Sequence, residues 1–236
     1  MANFTFFYRA NLKLVILSIC ILSACSSSEN DNVNDDINDI VDDDNPVTTC
    51  SEFVPPSGVN AFDDTTIFPN WTISKYNLPY ASGESYLVGQ GNTTGFGHSG
   101  FWRYGYDFHM DIGTEILAAR GGVVIHANDG TTDGDPNGTN LITIRHDDGT
   151  VALYSHFTLN GVLVEPGDNV NQGDLIGLSG NTGNTGGIPH LHFSVHPCSQ
   201  LPGLSNQGNC PTQPITFKNT EPNPKGLGTG QCYKSD

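Results

Sequence analysis

The segment Pro189-His190-Leu191-His192-Phe193-Ser194-Val195 alternates polar and apolar side chains without a break. In an extended strand, residues i and i+2 share a face, so His190 and His192 project together while Leu191 and Phe193 enter a core. The same character recurs upstream. Leu141-Ile142-Thr143-Ile144-Arg145-His146 and Val151-Ala152-Leu153-Tyr154-Ser155-His156-Phe157 are β-rich runs joined by Asp147-Asp148-Gly149-Thr150, a tight-turn sequence. Gly121-Gly122-Val123-Val124-Ile125-His126-Ala127 lies before them, across a loop rich in Asp, Gly and Asn. Gly161-Val162-Leu163-Val164 and Leu175-Ile176-Gly177-Leu178 follow. Short strands at close spacing, punctuated by Asp-Gly and Gly-rich turns, predict a mostly β fold: a single antiparallel sandwich or barrel-like domain. Strand patterns fill 85–197, the expected core. Residues 50–84 and 198–236 are less periodic and are expected to wrap it as irregular N-terminal and C-terminal arms.

Composition agrees with this class. The 236 residues include 28 glycines and 14 prolines, too many for a helix bundle. Only 14% are charged, against roughly 25% in an ordinary soluble domain. With 25 acidic and 9 basic residues the formal net charge is −16, which excludes a nucleic-acid partner held through phosphate contacts. A hydrophobic share of 36% still suffices for one core.

The N-terminus reads as an export signal. Arg9 and Lys13 precede the apolar run 14–22, which is shorter than the roughly 20 residues needed to span a bilayer but fits the apolar region of a signal peptide. The run ends in Leu22-Ser23-Ala24-Cys25, which resembles the bacterial lipoprotein box, where the signal is cut just before a cysteine that is then lipidated. The expectation is a signal peptide over 1–24, lipid attachment at Cys25, and an exported protein anchored in the bacterial envelope. It would face the periplasm or the cell surface. Residues 26–46 hold eight acidic residues and no basic ones, so 25–49 is expected to be a solvated tether. Processing leaves Cys50, Cys198, Cys210 and Cys232, an even number that suggests two disulfides in an exported chain. Cys198–Cys210 would close a short loop and Cys50–Cys232 would tie the domain ends; the other two pairings stay open.

Two polar patterns remain. Asp133-Gly134-Asp135-Pro136-Asn137-Gly138 matches the first half of a calcium loop of the EF-hand type, but Ile144 stands where the closing Glu belongs and strands flank it. It is therefore read as an acidic hairpin loop. The histidines are the second pattern. Besides His190 and His192, Asp107, His109 and Asp111 share one strand face, His156 ends a β-rich run, and His98 sits in a Gly/Ser-rich stretch. One carboxylate and two imidazoles are a natural set for catalytic Zn²⁺, which keeps a fourth position for water. His126, His146 and His196 carry no motif role, and Trp71, Trp102 and Tyr104 read first as core aromatics.

Collinear blocks extend this reading: Tyr106-Asp107-Phe108, the run 113–124, Arg145–Thr150, Leu153–His156, Gly167–Gly173, Gly177–Gly183 and Pro189–Phe193. In that order they resemble the lysostaphin/LytM-type zinc metalloendopeptidases, whose β-rich domain is related to the duplicated hybrid motif fold. The blocks cover about half the chain. The resemblance implies one Zn²⁺ held by His98, Asp107 and His192, with His156 and His190 as non-ligand catalytic histidines. It implies hydrolysis of peptide bonds in peptidoglycan crosslinks or stem peptides, with wall peptide or an exported polypeptide as substrate and a monomeric enzyme. The chain departs from the pattern at the first ligand, where Arg103 stands four residues before Asp107. His98, nine residues ahead of Asp107, fits a variant of the motif, and His109 is the alternative ligand. Arg103 is then read either as a cleft residue that contacts a substrate carboxylate or as a surface arginine. The rival reading is an inactive envelope binding module or an activator of another wall hydrolase; a calcium-dependent adhesion lipoprotein rests only on the acidic segments.

Overall fold

A computed structural model describes Cys50 and residues 65–95, 97–199 and 210–236. The expected signal peptide, the lipid attachment at Cys25 and the acidic tether lie outside the described residues. Among those described, no helix is long and apolar enough to cross a membrane.

The fold is mostly β, with antiparallel sheets throughout. Its strands are β1 (Ser85–Gln90), β2 (Tyr106–His109), β3 (Glu115–Leu117), β4 (Gly122–Asn128), β5 (Leu141–Arg145) and β6 (Val151–Ser155). They continue with β7 (Phe157–Val162), β8 (Asn169–Val170), β9 (Leu175–Ser179), β10 (His190–His196) and β11 (Cys232–Lys234). Eight strands form one sheet in the order β11-β1-β2-β10-β6-β5-β4-β8, and three form a second in the order β3-β9-β7. Strand β10 is central and is buried along its whole length. Its alternation sends Leu191, Phe193 and Val195 into the core, beside Phe108, Tyr154 and Phe217, and leaves His190, His192, Ser194 and His196 on the other face.

The run 151–157, read from sequence as one strand, is two. His156 adopts φ +74°, in the left-handed region, so β6 ends at Ser155 in the large sheet and β7 begins at Phe157 in the small one. Likewise β7 stops at Val162, leaving Leu163 and Val164 beyond it.

The terminal arms do more than wrap the sheet. Tyr76, Leu78 and Tyr80 from the first, and Ile215, Phe217 and Leu227 from the second, belong to the buried core. Tyr76 bridges Phe217, and β11 extends the large sheet by pairing with β1. Cys50 is bonded to Cys232 and Cys198 to Cys210, with Cα separations of 5.6 and 6.1 Å.

Candidate metal centre

Four neighbouring strands place one row of side chains on the polar face of the large sheet. Gln90 on β1 is in register with Asp107 on β2, Asp107 with His192 on β10, and His192 with Ser155 on β6. All four line a cleft of about 610 Å³, together with His98, Trp102, His156, His190 and the loop residues Thr139, Asn184 and Thr185.

Three atoms converge at its floor. His192 Nδ1 is 2.8 Å from Asp107 Oδ1, His98 Nε2 is 3.1 Å from the same oxygen, and the two imidazole nitrogens are 3.3 Å apart. His98 comes from the loop between β1 and β2. Its Nδ1–H donates to the Gly91 carbonyl at 2.9 Å, which fixes the tautomer that turns a bare Nε2 inward. Gly105 lets the loop approach so closely: a Cβ there would lie 2.8 Å from the His192 ring and 3.3 Å from that of His98.

This donor set fits a divalent transition metal. Tetrahedral bonds of about 2.0–2.2 Å to nitrogen and oxygen separate neighbouring ligand atoms by roughly 3.3–3.5 Å, close to the triangle present. Two imidazoles and a carboxylate that share one small volume can hold a cation among them. Burial alone would raise the Asp107 carboxyl, but His98, His190 and the hydrogen bond from His192 hold it well below the usual carboxylate range, so it is an anion at neutral pH. Among the described residues this is the one group of three side chains with such convergence.

Two further imidazoles face the same cleft. His190 donates Nδ1–H to the Ile188 carbonyl at 2.8 Å, and its Nε2 lies 3.8 Å from Asp107 Oδ1. His156 donates Nδ1–H to the Thr182 carbonyl at 2.6 Å, with its ring centroid 4.6 Å from that of His190. Burial, reinforced by the charges of His190 and His192, pushes the His156 pKa down to about 3, so it is neutral across the physiological range. In each, the Nδ1–H bond to a main-chain carbonyl leaves Nε2 as the ring atom available to a water or a substrate.

His98 and not His109 joins the convergent group. His109 is nested over Gly89 on β1, with its ring 6.5 Å from that of His190. Of the two readings of Arg103, the geometry matches the surface arginine: it is exposed, lies with its guanidinium 5.3 Å from the centre of the Tyr104 ring, and is not among the residues lining the cleft. Trp102 departs from its reading as core: it forms a cleft wall, edge-on to His192 at 5.5 Å and to His196 at 5.7 Å. His196 itself is buried, its Nδ1–H donating to the Cys210 carbonyl at 2.9 Å. Gln90 was not foreseen; its strand lies ahead of the recognisable blocks, and only the sheet register brings it to the site.

Comparison with known proteins finds that residues 102–203 match the model of peptidase family M23. Over 91 residues the chain is 45% identical to an uncharacterized metalloprotease of Buchnera aphidicola, covering 39% of this chain and 22% of that protein. It is 40% identical over 91 residues to the peptidoglycan DD-endopeptidase ShyA of Vibrio cholerae, covering 39% and 19%. It is 37% identical over 97 residues to lysostaphin of Staphylococcus simulans, covering 41% and 18%. The matched segment thus spans about a fifth of the length of these relatives.

Proposed function

We propose that this chain, whose residues 102–203 belong to peptidase family M23, is a zinc-dependent endopeptidase that hydrolyses peptide bonds in cell-wall peptidoglycan. The observation that carries the reading is the triad His98–Asp107–His192 at the floor of one cleft, beside two histidines whose Nδ1–H groups are held by main-chain carbonyls. The peptidoglycan endopeptidase among the relatives supports the choice of substrate. The complete triad also argues against a ligand-free binding module.

In this reading His98 Nε2, Asp107 Oδ1 and His192 Nδ1 hold the ion. Zinc supplies Lewis acidity, bringing the pKa of a bound water towards neutrality and polarising the scissile carbonyl. His190 and His156 do the proton work. One accepts the proton that the attacking water loses as its oxygen bonds to the carbonyl carbon. The same proton passes to the leaving amine as the C–N bond breaks. The other accepts a hydrogen bond from the attacking water through Nε2 and so orients it towards the carbonyl carbon. Trp102 and the 180–187 loop wall the cleft and hold the peptide against these groups.

We place this activity outside the cytoplasm, on a monomer anchored by a lipid at Cys25 after removal of residues 1–24. The Arg9/Lys13 flank, the short apolar run and Leu22-Ser23-Ala24-Cys25 support this. The test is digestion of purified peptidoglycan by the mature chain, read by mass spectrometry of released fragments and by metal analysis. Near-stoichiometric zinc and new amino termini at peptide crosslinks or stems are expected. A zinc-loaded protein that releases none would overturn the substrate assignment, and a metal-free one the enzyme.

A further inference from the structure

His156 is held in a conformation that a residue with a side chain rarely adopts, and the contacts that hold it come from two loops outside the catalytic set. The first contributes Asn140, fully buried just ahead of β5. Its carbonyl accepts the His156 N–H at 2.9 Å and the Phe157 N–H at 3.3 Å, and so grips the backbone on both sides of the left-handed bend. Its side-chain amide donates to the carbonyls of Thr131, Phe157 and Thr158 at 2.8, 3.1 and 3.1 Å. The second loop contributes Thr182, also fully buried. The Thr182 carbonyl takes the His156 Nδ1–H, while its hydroxyl accepts the Asn140 N–H at 3.1 Å and donates to the Phe157 carbonyl at 2.9 Å. Asn140, His156 and Thr182 therefore close a ring of hydrogen bonds: one member fixes the backbone, another the imidazole.

The acidic loop fastens this ring to the cleft wall. Asp133 accepts the Asn181 N–H at 2.6 Å through Oδ1 and the Thr158 hydroxyl at 2.5 Å through Oδ2. Gly134 N–H donates to the Asn181 carbonyl and Gly183 N–H to the Asp135 carbonyl, each at 2.8 Å. The carboxylate that suggested a calcium loop is occupied in binding the 180–187 segment. Asn140 and Thr182 do not line the cleft, so neither is placed to touch a substrate there.

We propose that Thr182 and Asn140 are positioning residues for His156, and that the loop bearing Asp133 sets the cleft wall from which Thr182 acts. The proposal rests on the peptidase reading, and it names what makes one of its two proton-handling histidines effective. A misplacement of about 1 Å costs on the order of 100-fold in rate when a reacting group must be aligned.

The test compares Thr182→Val, which keeps shape and removes the hydroxyl, with Thr182→Ser, which keeps the hydroxyl. In Thr182→Val, kcat is expected to fall by about 10- to 100-fold, with KM and bound zinc within about twofold of wild type. Thr182→Ser should restore most of kcat. In the zinc-loaded protein, the His156 Nδ1–H proton, slow to exchange in wild type by NMR, should be lost or exchange-broadened in Thr182→Val alone. An unchanged kcat in Thr182→Val, an equal fall in Thr182→Ser, or a fall accompanied by loss of zinc would each overturn the proposal. If Thr182→Val does not fold, Asp133→Asn serves instead: lowered kcat with zinc retained supports the proposal, and unaltered kcat overturns it. If the wild type cleaves no peptidoglycan, the NMR signal still decides: its persistence in the folded variant overturns the positioning role whatever the reaction is.

Discussion

His192 and Asp107 are register partners on β10 and β2, with Nδ1 and Oδ1 2.8 Å apart, whereas His98 reaches them from a loop. Two thirds of the candidate metal centre are thus set by sheet pairing and one third by the Gly91 carbonyl that orients a loop histidine. If these three side chains hold zinc as proposed, Asp107→Ala removes the anion from the set and should abolish zinc retention. His98→Ala leaves two ligands and should do the same, while His109→Ala should keep zinc near one equivalent. Inductively coupled plasma mass spectrometry of the three variants checks this; zinc retained in His98→Ala and lost in His109→Ala would reassign the first ligand.

Gly89 and His109 form a second close pair. A Cβ on Gly89 would fall 1.9 Å from His109 Nε2, inside any tolerable contact, so the imidazole would have to leave its niche. Gly89→Ala is expected to destabilise the domain by about 1–3 kcal/mol, the usual cost of overpacking. Removal of the ring in the double variant Gly89→Ala/His109→Ala should recover most of that loss. Denaturant titration of the four proteins closes the cycle, and additivity would show that the pair does not touch.

How far the sequence was legible depends on whether a feature is local. The strands around the site announce themselves by period-2 alternation, and His190-Leu191-His192 already states which face bears the imidazoles. His156 is different. Val151–Phe157 is uniformly β-rich, and nothing local says that the chain turns left-handed at its sixth residue; the cause is Asn140 and Thr182, 16 and 26 positions away. Gln90 and Trp102 were hidden for the same reason, since register and loop packing bring them to the cleft. The arms read as irregular because their buried residues are spaced by turns, yet they close the core.

Acid should weaken the fold through Asp148. Burial works against its charged form, but hydrogen bonds from Thr150, Lys75 and Arg120 outweigh that and hold its carboxyl well below the ordinary carboxylate value of about 3.9. A depressed folded pKa means that the unfolded chain binds the proton first as pH falls. The stabilisation is therefore complete above the unfolded value and is lost as pH drops from there through the folded one. Asp148→Asn should lower stability at neutral pH and flatten the fall below about pH 4. Thermal unfolding of both proteins from pH 3 to 7 checks the sign, and curves that stay parallel down to pH 3 would remove Asp148 from the account.

Gln90 offers the last prediction because it occupies the same cross-strand row as Asp107, His192 and Ser155 yet lies ahead of the segment that matches the family. It borders the cleft, and its amide oxygen is buried without a hydrogen-bond partner among the described residues. On the peptidase reading, an amide with unspent hydrogen-bonding capacity in this cleft is matched by the main chain of a peptide, which offers donors and acceptors alike. A hydrogen bond of about 0.5–1.5 kcal/mol, present in ground state and transition state together, appears in KM and not in kcat. Gln90→Ala should accordingly raise KM by about 2- to 10-fold on a crosslinked peptide, with kcat and zinc content unchanged. Gln90→Leu, which keeps the bulk and removes the amide, separates the hydrogen bond from simple filling of the cleft. A wild-type KM in Gln90→Leu would leave only the filling, whereas a KM raised as far as in Gln90→Ala assigns the effect to the amide itself.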